Sequence, residues 1–238
     1  MPSRLLAVTF DAHDPARLAR FWAAMLGRSV LESRGGALLP GTSTQLGLGF
    51  APTRIPKVGP NRMHLHLTSS SDAGQQETVA KAVELGARHL DVGQRPEEGH
   101  VVLADPAGNE FCVIPPGSSF LADCGFLGEL ACDGSREVGL FWSAALGWPL
   151  VWDQDEETAI QSPEGGTKIG WGGPPMSARV QTTTQRFDLV PADGDPGSEA
   201  ERLVSLGATR LGAGTGGGDP LVLADPDGTE FRVLDSHH

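Results

Sequence analysis

At 238 residues the chain suits one large domain or two of near-average size, and its formal net charge of −12 argues against nucleic-acid or anionic-membrane partners. No apolar run is long enough to span a bilayer, and the N-terminus carries no secretory h-region. The three cysteines, Cys112, Cys124 and Cys132, form no CxxC pair, so buried thiols in a reducing, cytoplasmic compartment are expected.

The chain opens with Leu6, Val8 and Phe10 alternating with Ala7 and Thr9, which predicts a half-buried strand. Asp14 is placed to cap a helix with Pro15 at its first position. Leu18, Phe21, Trp22, Met25 and Leu26 then form one apolar stripe, and Gly27 suits the left-handed residue after it. Short strands are predicted near 29–33, 36–40 and 45–50, followed by an extended linker, Ala51 to Pro60. A second unit starts at Met63 with MHLHLT, which puts Leu65 and Leu67 on one face and His64 and His66 on the other. Ser71 or Asp72 can cap the next helix, which ends at Gly86, and strands follow near 88–92, 100–104 and 109–114. Pro115 to Ser119 marks a boundary.

The second half repeats the first. Phe21-Trp22 returns as Phe141-Trp142, Leu26-Gly27 as Leu146-Gly147, and Asp105-Pro106 as Asp225-Pro226, each displaced by 120 residues. Unit three is predicted as a strand near 124–131, a helix closed by Gly147, and strands near 149–153, 157–161 and 167–171. A linker, 172–178, leads to unit four. There a strand at 184–190 precedes a helix capped by Asp195 and ended at Gly207, then strands near 208–211, 220–224 and 229–234. The stretches around Asp105 and Asp225 read as strand, type I turn, strand. Gly212 to Gly217 matches GxGxxG but leads into a strand rather than a helix, so a hairpin loop is expected, not a dinucleotide site. His237 and His238 are left out as a possible tag remnant. Trp22 and Trp142 are expected in the core; Trp148, Trp152 or Trp171 could stack on an aromatic guest.

These motifs resemble two tandem glyoxalase-like modules of the vicinal oxygen chelate superfamily, which includes glyoxalase, bleomycin-resistance and extradiol dioxygenase proteins. The carriers are Phe21-Trp22 with Leu26-Gly27, His64-Leu65-His66-Leu67, Leu85-Gly86-Ala87, and Leu103 to Pro106 with Gly108 to Phe111. Arg186 to Leu189 and Asp225 to Phe231 carry the likeness in the second half. The resemblance implies an α+β fold with modules at 1–116 and 120–236. Each would pair two βαβββ units in a curved mixed sheet, helices outside and a polar hollow inside.

Metal-dependent members hold a divalent ion in that hollow. The resemblance places His64 and Glu110 as ligands, suited to Fe, Mn, Ni or Zn. The first strand of unit one, around Leu5 to Ala7, offers no third ligand, and Gly49 to Ala51 no fourth. His66 shares the face, but two residues along one strand stand roughly 6–7 Å apart, so joint ligation looks strained. A metal-free hollow with a His64–Glu110 hydrogen bond is therefore expected. Cys112 lies on the face of Glu110 and reads as a packed thiol. In the second half Arg186 replaces the histidine, and an Arg186–Glu230 ion pair is expected, with Arg232 beside it and Glu129 and Asp188 facing inward. The alternative there is an anion site on Arg186 and Arg232.

The leading functional expectation is a binder of a small aromatic or amphipathic molecule, resembling the bleomycin-resistance branch, without a catalytic metal. The alternative is a divalent-metal-dependent lyase, isomerase or dioxygenase using His64 and Glu110; metal-free acid–base chemistry by that pair is a third option. Family members often pair modules between chains, but two modules in one chain can pair internally, so monomer and homodimer are both open.

Overall fold

The computed structural model describes residues 2–33, 35–174, 184–212 and 220–235. Sixteen strands and four α-helices occur among them, arranged as the βαβββ units expected. Unit one holds β1 (Arg4–Ala12), α1 (Pro15–Leu26), β2 (Leu31–Ser33), β3 (Gly36–Leu39) and β4 (Leu48–Pro52). Unit two holds β5 (Met63–Leu67), α2 (Asp72–Glu84), β6 (Arg88–His89), β7 (Val101–Ala104) and β8 (Glu110–Val113). Unit three holds β9 (Leu127–Cys132), α3 (Arg136–Leu146), β10 (Leu150–Gln154), β11 (Glu157–Gln161) and β12 (Lys168–Trp171). Unit four holds β13 (Gln185–Val190), α4 (Pro196–Ser205), β14 (Thr209–Gly212), β15 (Leu221–Ala224) and β16 (Glu230–Val233). The GxGxxG stretch beyond Gly212 and most of the 172–178 linker lie outside the described residues.

The helix ends form where local chemistry directs them. Asp14, Ser71, Ser135 and Asp195 each cap a helix by accepting a backbone N–H. Gly27 and Gly147 take φ of 66°, which a residue with a Cβ adopts only at a cost.

The units pair as expected, but across the halves. One eight-stranded sheet, sheet A, runs β14-β15-β16-β13-β1-β4-β3-β2 and joins unit one to unit four. Sheet B runs β10-β11-β12-β9-β5-β8-β7-β6 and joins unit two to unit three. The seams are antiparallel pairs, β1 with β13 and β5 with β9. Pairing within each half, the simpler reading of a tandem repeat, is thereby corrected. The opening strands of units two and four share one alternation pattern, so periodicity cannot tell which of them unit one takes as partner.

Each half is held together by its helices instead. Helix α1 packs on β1, β3 and β4 of sheet A. Its Trp22 ring meets Phe111 of sheet B edge-on at 5.1 Å, and its indole N–H donates to Asp105 Oδ2 at 3.1 Å. Helix α3, packed on sheet B, repeats this toward sheet A: Trp142 lies 5.0 Å from Phe231 and donates to Asp225 Oδ2 at 3.3 Å. The repeated Phe-Trp and Asp-Pro motifs are thus two ends of one contact. Asp105 also closes the expected turn: Gly108 N–H donates to its carbonyl, and Ala107 and Asn109 N–H to its Oδ1, each at 2.9 Å. Burial raises the Asp105 pKa against those hydrogen bonds, and the same balance puts Asp225 at about 6.

Candidate functional site

The apolar faces of the inner strands are fully committed to the core: Leu65, Leu67, Phe111 and Val113 are buried there. Strand alternation sends the intervening side chains to the opposite face. On sheet B, the β5–β8 register sets His66 beside Cys112, the β5–β9 register sets it beside Glu129, and β12 sets Lys168 beside Glu129. The result is one row, Cys112, His66, Glu129, Lys168, across four neighbouring strands. His64 stands two residues along β5, its ring centroid 4.7 Å from that of His66.

His64, His66 and Glu129 floor a hollow of about 600 Å³. Its walls include Arg62, Asp133, Phe120, Trp152 and Trp171. Phe120 meets Trp152 edge-on at 5.9 Å, and the Lys168 ammonium sits 4.4 Å from the Phe120 ring centre. Arg62 pairs with Asp133 at 3.3 Å at the far end of the strands. Phe120 lies in the segment joining the halves, between β8 and β9, where strand and helix periodicity carry no information. Of the three uncertain tryptophans, Trp152 and Trp171 line this hollow and Trp148 does not. A second cavity, about 420 Å³, lies between loop 40–47 and residues 162–167, away from the His row.

The two histidines differ in protonation. His66 Nδ1 lies 2.8 Å from Glu129 Oε2. Burial works to lower its pKa, but hydrogen bonding to Cys112 and Glu129 overcomes this and raises it to about 9. His64, desolvated and beside His66, falls to about 4. At neutral pH an imidazolium therefore stands next to a neutral imidazole. Glu129 owes its position to Gly170 on β12, where an added Cβ would meet Glu129 Oε1 at 2.4 Å.

The expected His64–Glu110 partnership is not what the fold builds. Glu110 is held by Lys57 Nζ at 2.7 Å and by the Asn61 N–H at 3.1 Å, both from the segment between β4 and β5. Glu110 therefore fastens the linker. Unit three, not unit one, lies beside unit two, so Glu129 of β9 takes the place at which Leu5 to Ala7 offer no ligand. Nor is His66 too far from His64 to share an ion. Among the described residues, one group of His, Cys, Asp and Glu could share an ion: His64, His66 and Cys112, whose donor atoms lie within 4.8 Å of one another. Rings on neighbouring positions tilt together although their Cα atoms are far apart. Two imidazole nitrogens and a sulfur suit a borderline-soft divalent ion, so these residues fit a transition metal and the His64–Glu110 pair does not.

Sheet A carries the corresponding positions with different chemistry. Arg186 and Asp188 stand on β13 as His64 and His66 do on β5, and Arg232 on β16 as Cys112 does on β8. The expected Arg186–Glu230 pair is absent among the described residues. Arg186 Nη1 bonds Asp11 Oδ1 at 2.6 Å, and the Thr9 hydroxyl donates to Asp188. Both partners come from β1, a consequence of the same cross-half pairing. Arg186 Nε and Asp188 Oδ1 stand 3.6 Å apart, too far for a hydrogen bond, and neither atom has another hydrogen-bond partner among the described residues. Burial raises the Asp188 pKa, opposed by the Thr9 hydrogen bond and the nearby arginines. Arg232 makes no ion pair within 4 Å among the described residues, and Glu230 is exposed. The three cysteines are free and buried, and burial pushes the Cys124 and Cys132 thiols up.

A glyoxalase-like domain model matches residues 7–114 and 129–234. The chain belongs to the glyoxalase-like domain family. Its fold is that of the vicinal oxygen chelate superfamily. Glyoxalase I from Zea mays is similar at a TM-score of 0.63 and 14% identity, covering 98% of this chain and 92% of that one. A putative dioxygenase from Bacillus subtilis is similar at 0.62 and 12% identity, covering 97% and 84%. At such identities the likeness is one of fold. None of the curated proteins matches this chain. No helix among the described residues is long and apolar enough to cross a membrane.

Proposed function

We propose that this glyoxalase-like chain binds a small organic molecule in the sheet B hollow, with an aromatic or amphipathic body between the rings and its polar end on the histidine row. The observation that carries this reading is the coincidence of a hollow of about 600 Å³ with that row. Such a volume lies in the range of sites for drug-sized ligands, which pair apolar walls with a few placed polar groups. Phe120, Trp152 and Trp171 are the walls; His64, His66 and Glu129 are the polar groups. Neutral His64 offers a lone pair, and the His66–Glu129 pair fixes the field beneath it. Sheet A is the quieter face, because Asp11 and Thr9 already engage Arg186 and Asp188.

The free cysteines fit a reducing, cytoplasmic setting, and one chain supplies both sheets, which fits a monomer as well as a homodimer.

The test is tryptophan fluorescence and thermal unfolding against a panel of aromatic carboxylates, phenols and quinones. Saturable quenching with a rise in Tm is expected, weakened in Trp171→Ala and His64→Ala and kept in Arg232→Ala. A panel that leaves wild type unchanged, or a signal that survives Trp171→Ala but disappears in Arg232→Ala, would move the site off sheet B.

A further inference from the structure

The three donors on sheet B are arranged for more than lining a hollow. We propose that His64, His66 and Cys112 form a site for one borderline-soft divalent transition metal, with Glu129 holding His66 from behind and a further coordination position facing the hollow. This deepens the small-molecule reading but does not stand or fall with it, since a hollow can take a guest with or without an ion.

Glu129 occupies Nδ1 of His66 at 2.8 Å, so Nε2 is the nitrogen left for coordination, and binding releases its proton together with that of the Cys112 thiol to solvent. A carboxylate on the far nitrogen of a ligating imidazole is the usual outer partner of a metal site; it fixes ring orientation and strengthens the donor. The register then sets Cys112 beside His66 on the adjacent strand. His64 closes the group, and all three donor atoms lie within 4.8 Å of one another. A tetrahedral ion with bonds of about 2.0–2.3 Å keeps its donors roughly 3.3–3.6 Å apart, so modest side-chain rotations close the remaining gap.

The burial pattern separates this site from a cysteine nucleophile oriented by His66 and Glu129. His64 and His66 line the hollow, whereas Cys112 is 6% exposed and does not. A thiol behind the histidines is poorly placed to attack a guest but well placed to anchor an ion between itself and the open side. The donor types exclude the hard cations: one sulfur and two nitrogens suit Zn(II), Co(II) or Ni(II) rather than Mg(II) or Ca(II). When bound, such an ion supplies Lewis-acid polarisation of a guest oxygen.

The test uses the full chain stripped with chelator, held under reductant, and titrated with Co(II) alone. Saturation at about one equivalent is expected, with a near-ultraviolet sulfur-to-cobalt charge-transfer band and intense visible bands of low coordination number. Cys112→Ser should lose the charge-transfer band, Glu129→Gln should weaken binding about 10- to 100-fold, and Glu110→Gln should leave it unchanged. Should Cys112→Ser fail to fold, X-ray absorption of zinc-loaded wild type decides instead. One sulfur at about 2.3 Å with nitrogens at about 2.0–2.1 Å supports the site. No saturable cobalt band, a band that survives Cys112→Ser, or a zinc shell without sulfur overturns it. Guest binding is measured separately on stripped protein, so a failed titration leaves that reading intact.

Discussion

His66 and Glu129 meet at 2.8 Å across the seam between β5 and β9, so the charged floor of the hollow is assembled from both halves of the chain. On sheet A the residue opposite Asp188 is Ala7, and the Thr9 hydroxyl donates to Asp188 from two residues further along β1.

Removing the anion should unmask the histidine. In Glu129→Gln the His66 pKa is expected to fall well below its present value of about 9. Loss of one partner from a largely buried pair should also cost roughly 3 kcal/mol at neutral pH. Imidazole chemical shifts followed by NMR across the pH range, with urea unfolding, read both. A His66 titration unmoved by the substitution would mean that Cys112 alone holds the proton.

Stability should peak near pH 6.5 from this site alone. His66 has a folded pKa raised to about 9, so its contribution is complete below the unfolded value and is lost as pH rises through 9. His64 is depressed to about 4, so the unfolded chain binds the proton more tightly, and a penalty grows as pH falls from about 6.5 to 4. Each limb is worth about 3 kcal/mol at 1.4 kcal/mol per unit. Urea midpoints from pH 4 to 9.5 should show both limbs, with the alkaline one missing in His66→Gln. A wild-type alkaline limb that persists in His66→Gln would assign it to another group.

The helix-to-turn contact should be worth more through its carboxylate than through its indole. Asp105→Ala strands the N–H groups of Ala107, Asn109 and Trp22 in a buried place, costing about 2–4 kcal/mol. Trp22→Phe keeps a ring near Phe111 and gives up one N–H bond, about 1 kcal/mol plus a packing loss of similar size. Equilibrium unfolding of both variants checks the order, and the reverse order would sink the account.

Two glycines should respond oppositely to alanine. At Gly170 the added Cβ collides with the movable end of Glu129 and otherwise makes an ordinary 3.7 Å contact with the Thr158 carbonyl. Gly170→Ala should therefore fold with a Tm near wild type while shifting the His66 titration downward. At Gly166, φ is 89° and the Cβ would lie 1.7 Å from the Thr44 carbonyl oxygen, so backbone must move. Gly166→Ala should lower stability by roughly 2–4 kcal/mol. Thermal unfolding of the pair distinguishes them.

Much of the fold was legible in the chain because the relevant physics is local. Alternation of Leu65 and Leu67 with His64 and His66, the stripe from Leu18 to Leu26, and the caps at Asp14, Ser71 and Asp195 each depend on neighbours a few residues away. So does the turn at Asp105. The same alternation and register put His66, Cys112 and Glu129 side by side on neighbouring strands of sheet B.

What those residues do together was not legible. Local alternation fixes the face a side chain takes but is blind to which strand lies alongside, since backbone N–H and C=O groups pair equally well with either of two similar partners. The tertiary structure made that choice by setting β5 against β9 and β1 against β13. It thereby gave His66 to Glu129 and Arg186 to Asp11, while the path of the linker before β5 gave Glu110 to Lys57.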